Sequence, residues 1–78
     1  MTHWEKPVIV SIPGAKRQEV GSAFGALALL MEGWPDMTGK HFIRARISCR
    51  AALEDRATLD EARLEFTKAA QEAAKLRH

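Results

Sequence analysis

The chain predicts an α+β fold, an N-terminal β-hairpin packed against three α-helices. Three observations carry that prediction. A short β-branched run, Pro7-Val8-Ile9-Val10-Ser11-Ile12, is followed by Pro13-Gly14. An apolar segment from Ala23 to Met31 lies between Ser22 and Gly33. Two later stretches, about Lys40 to Leu53 and Leu59 to Leu76, repeat apolar residues at spacings of three and four. That is the period of a helix with one buried face.

Seventy-eight residues make one domain, 1–78, near the lower limit for folding alone. A chain of this size buries only about 60% of its unfolded surface. An apolar content of 46% with 28% charged residues excludes global disorder. The single cysteine, Cys49, excludes an internal disulfide and fits a reducing compartment. No stretch has the basic start, apolar middle and small-residue exit of a signal peptide, so cytoplasm is the expected location. The net charge of +2 is unevenly placed. Residues 1–39 hold three basic and four acidic side chains, and residues 40–78 hold nine and six. From Lys40 to Arg50 there are four basic residues, one histidine and no acid.

In the hairpin, Val8, Val10 and Ile12 share one face of the first strand, and Ile9 and Ser11 the other. Proline at the strand's start loses no ladder donor. Pro13-Gly14 suits the two central positions of a type II turn. Lys16 to Val20 returns as the second strand, although Arg17, Gln18 and Glu19 carry little β signal. Trp4 is too costly to leave in water and packs on the domain. An isolated hairpin is marginal, so this one lies on the helices.

Ser22 N-caps the first helix, and Gly33, in a left-handed cap, ends it with Pro35. About 13 residues are too few to span a bilayer, which takes roughly 20, so no membrane is expected. On the second helix Phe42, Ala45, Cys49, Ala52 and Leu53 form one face, which Ile43 and Ile47 widen. The third helix opens with a capping box, Thr58-Leu59-Asp60-Glu61, whose acids suit the positive helix start. Leu59, Ala62, Phe66, Ala69, Ala73 and Leu76 continue it as one stripe, and Lys75 and Arg77 suit its negative end.

Several of these pieces are familiar together. A Trp stands shortly before Pro7-Val8, and a Ser-capped helix ends Leu30…Trp34-Pro35. Then follow Ala45…Cys49…Ala52-Leu53 and Ala62-Arg63…Phe66…Ala69-Ala70…Ala73. In this order they resemble a family of small bacterial proteins, domain of unknown function 982, over nearly the whole chain. The resemblance implies the architecture, a hairpin and helices in one domain, and brings no activity or site residues. Members tend to have a small residue such as glycine near Asp55, closing the second helix, in a conformation Asp adopts less easily. They also tend to be charged after the first cap, where this chain has Phe24 and Gly25. The family register turns Ala23, Ala26, Leu27, Leu30 and Trp34 inward. It leaves Phe24, Ala28 and Met31 on a second stripe nearer solvent.

No residue set points to catalysis. Cys49, alone on an apolar helical face, reads as a buried structural thiol. His3, His41 and His78 lack metal-ligand spacing with each other or with Cys49, so neither a metal nor a cofactor is expected. Asp60 and Glu61, adjacent on a helix, do not face one another as an acid–base pair would. Ser11, Ser22 and Ser48 have no nucleophile elbow.

The remaining candidates are binding surfaces. Phe24, Ala28 and Met31 are a candidate partner interface. Lys40, Arg44, Arg46 and Arg50, with His41, are a candidate anion-binding set, although a helix spreads them around its axis. Helices two and three imitate a helix-turn-helix, but Asp60 and Glu61 at the start of the third would repel phosphates. The expected function is a small non-catalytic protein-interaction module, able to self-associate by the Phe24 stripe or by the hairpin edge. The alternative is weak nucleic-acid or anion binding by the basic second helix. A third class is a small-molecule pocket between hairpin and helices.

Overall fold

A computed structural model describes residues 3–11, 17–34 and 37–75. The elements are β1 (His3–Val10), β2 (Gln18–Ser22), α1 (Ala23–Glu32), α2 (Lys40–Leu53) and α3 (Leu59–Ala74). This is the α+β hairpin-and-three-helix arrangement that the sequence predicts. The Pro13-Gly14 turn, Ile12, Pro35, Leu76, Arg77 and His78 lie outside the described residues.

β1 and β2 pair antiparallel, with Val8 opposite Val20, Ile9 opposite Glu19 and Val10 opposite Gln18. β1 begins four residues before the β-branched run, and His3 pairs with Ser22. Between His3 and Val8 the register is irregular, five steps on β1 facing two on β2. Pro7 lies in that stretch, where its missing N–H costs no ladder bond. Trp4, Val8 and Val10 are buried beneath the sheet.

α1 starts as expected, Ser22 Oγ accepting from the Gly25 N–H at 3.0 Å. Its end differs. Gly33 has φ −138°, outside the left-handed region, and its N–H closes an ordinary helical bond to the Leu29 carbonyl at 2.9 Å. The helix therefore ends without a left-handed residue, and Trp34 just beyond it is buried in the core.

α2 ends in a Schellman motif. The Arg56 N–H reaches back to the Ala51 carbonyl at 2.8 Å and the Asp55 N–H to Ala52 at 3.2 Å. Asp55 takes the required left-handed conformation, φ 60°, where the family resemblance implies a glycine. α3 starts on Thr58, whose Oγ1 accepts from the Glu61 N–H at 3.0 Å.

The core is aromatic at its centre and alanine-rich at its helix seam. Phe66 is fully buried between Trp4, at 5.9 Å between ring centroids, and Trp34, at 5.7 Å. Trp34 also packs on Phe42 at 6.5 Å. Ala45, Cys49 and Ala52 of α2 lie buried with Ala62, Ala69 and Ala73 of α3. α2 and α3 make the most extensive contact between elements, because methyl-sized side chains let the two backbones approach closely. Ile43 and Ile47 do not widen this seam. They are 39% and 59% exposed, because their helical angle puts them opposite Ala45 and Cys49.

Candidate binding surfaces

The first helix separates its two stripes as the family register implies. Ala23, Ala26, Leu30 and Trp34 are buried, and Leu27 packs partly against them. Phe24 is 66% exposed and Met31 53%, with Ala28 half-buried between them. Three and four residues separate these side chains, so they form one strip on the helix surface. No charged side chain interrupts α1 before Glu32.

The basic set on α2 is exposed but does not converge. Lys40, Arg44, Arg46 and Arg50 are all exposed. Arg46 lies over the Phe42 ring at 6.0 Å, within cation–π range. Arg50 reaches Glu54 at 4.0 Å. Glu54 also accepts from Arg56, whose guanidinium holds its carboxyl below the usual carboxylate range. Part of the positive charge is thus matched at the far end of the helix.

The start of α2 is capped from a distance. Gly39 provides no side-chain cap and the first turn holds no acid. The Glu72 carboxylate of α3 instead accepts from the His41 and Phe42 N–H groups, each at 3.3 Å. A Cβ at Gly39 would overlap that carboxylate, so the missing side chain makes room for the cap. Sequence reasoning did not identify Glu72. The available signal was a helix start at Gly39, which has no side chain to cap with, followed by Lys40, a cation at the positive helix end.

Cys49 is fully buried, and burial pushes its thiol from 9.0 up to about 12. A neutral, enclosed thiol is a poor nucleophile. Among the described residues no three His, Cys, Asp or Glu side chains gather as a metal site, and no helix is long and apolar enough to cross a membrane.

A groove flanks the hairpin. β1 pairs only with β2 among the described residues, leaving its other edge beside α3. Arg63 of α3 spans the gap, its Nε donating to the Lys6 carbonyl at 2.8 Å. This groove stands where the sequence allowed a pocket between hairpin and helices.

A small α+β domain with an exposed apolar strip and a closed thiol is the class that fold and geometry define. The chain belongs to the family described as protein of unknown function (DUF982), whose model matches residues 6–76. No curated protein and no solved structure matches it.

Proposed function

We propose that the chain is a small non-catalytic interaction module that self-associates through the outer stripe of α1. The observation that supports this reading is the exposure of Phe24 and Met31 on one charge-free strip. Covering both side chains in two copies removes four half-exposed apolar groups from water. That is worth on the order of 4–7 kcal/mol at the usual transfer coefficient. Association itself costs about 4–15 kcal/mol. The stripe alone therefore supports at most a weak, concentration-dependent dimer, and only at the low end of that cost.

Size-exclusion chromatography with light scattering tests it. The wild type shifts from monomer toward dimer as concentration rises. Phe24→Glu remains monomeric with an unchanged melting temperature. A wild type that stays strictly monomeric at high concentration overturns the reading.

A second reading, weak nucleic-acid or anion binding, draws support from the exposure of Lys40, Arg44 and Arg46 on one helix. Titration against random duplex and single-stranded DNA at rising salt tests it. Affinity that does not fall with salt, or no affinity at low ionic strength, excludes that reading.

A further inference from the structure

The outer edge of β1 runs beside α3 for most of its length. Eight strand residues span about 26 Å at the usual rise. Sixteen helical residues span about 24 Å. Near the start of both elements, Trp4 and Lys6 face Leu59 across a cleft of about 420 Å³. Further on, Pro7, Ile9 and Ser11 face Thr67, Ala70 and Ala74 across one of about 320 Å³. Arg63 lines both clefts.

The second cleft combines three features. Arg63, Thr67, Ala70 and Ala74 recur at spacings of four, three and four, so they form a single flank of α3 with small side chains beyond Arg63. The opposite wall is a sheet edge with no strand paired to it among the described residues, and such an edge is a template for another extended segment. Among the described residues that line the cleft, Arg63 is the only charged one. It is half-buried, and no carboxylate among the described residues pairs with it. Its Nε is held by the Lys6 carbonyl, which leaves its terminal N–H groups for a carboxylate in the two-pronged geometry guanidinium favours.

We propose that this groove receives an extended peptide bearing a carboxylate. The peptide backbone pairs with the edge of β1 between Val8 and Ser11, and Arg63 holds the carboxylate. Edge-strand addition beside a helix is an established way of binding peptides. The cleft is bounded by a single strand edge on one side and by α3 on the other. It therefore suits a single segment better than the two-stranded hairpin of a second copy. The α1 stripe is a separate surface, since α1 packs chiefly on α2 and β2.

The probe is a library of random nine-residue peptides displayed with free C-termini and selected on the full chain. Enriched peptides are then remade with the carboxylate converted to an amide. Losing a hydrogen bond to a charged group weakens binding about tenfold or more. That loss is expected both for the amide peptides and for Arg63→Gln. Peptide addition shifts the amide resonances of Val8 to Ser11. Thr67→Glu supplies a second variant, placing an acid four residues from Arg63, and it too abolishes binding. Phe24→Glu leaves peptide binding intact, so the groove and the α1 stripe fail or stand separately. The proposal is overturned by no enrichment over an unrelated domain, or by enriched peptides that bind Arg63→Gln equally well. It is also overturned if Arg63→Gln changes the oligomeric state, which would assign the groove to a second copy.

Discussion

α3 and α1 are both rich in apolar residues, yet the fold treats them differently. α3 buries Ala62, Phe66, Ala69, Ala70 and Ala73 and turns mostly polar side chains outward. Its stripe matches the surface that α2 and the hairpin cover. α1 buries only Ala23, Ala26 and Leu30 and carries more apolar surface than its neighbours cover. An exposed Leu64 on α3 is an ordinary single residue; Phe24 with Met31 is a strip. Apolar content alone therefore does not locate the core. The excess over what neighbouring elements cover is what leaves an apolar strip at the surface.

The strongest way to break this contrast is to truncate one large side chain on each helix. Phe66→Ala removes the ring between Trp4 and Trp34 and should cost about 3–5 kcal/mol in urea denaturation. Phe24→Ala, measured on dilute monomer, should fall within about 0.5 kcal/mol of wild type. A loss near 2 kcal/mol at Phe24 would place that side chain in the core and end the contrast.

A smaller effect sharpens how α3 is held. Glu72→Ala leaves the first turn of α2 without its acceptor and should cost about 1 kcal/mol, the worth of an N-cap. Gly39→Ala pushes the same carboxylate aside and should cost a similar amount. The double variant should cost little more than either, because both remove one interaction. Full additivity would show that the Glu72 bonds do not explain the loss.

Asp55→Gly should have the smallest effect and the opposite sign. Glycine accepts the left-handed conformation without a Cβ penalty, while a looser unfolded chain offsets part of the gain. Thermal denaturation should show stabilisation of up to about 1 kcal/mol. Destabilisation would mean that the Asp55 side chain supports the turn into α3.

Local signals made much of the fold legible. Ser22 and Thr58 cap the helices they precede, and the bounds of α2 follow from its apolar period and the Gly39 before it. The family resemblance located the odd backbone at Asp55. Several features escaped because their causes are tertiary. The charges of Glu5 and Lys6 concealed the early start of β1, which depends on pairing with Ser22 and on Trp4 reaching Phe66. Ile43 and Ile47 continue an apolar pattern on α2, and period alone does not say which side meets α3. Of the candidate surfaces, the α1 stripe was readable from the family register. The groove was not, since Arg63 and Lys6 stand 57 positions apart. On α2, Glu54 follows Arg50 by four residues, a spacing from which their pairing was readable, whereas the placement of Glu72 required the folded chain.

The Glu72 bonds also bear on how the molecule opens. Amides in the first turn of a helix lack intrahelical partners and ordinarily exchange with solvent quickly. At His41 and Phe42 that exchange is tied to a carboxylate some thirty residues away. Release of either amide requires the Glu72 carboxylate to move away from the start of α2. These two amides should therefore gain and lose protection together, reporting on a side chain from a helix to which neither belongs.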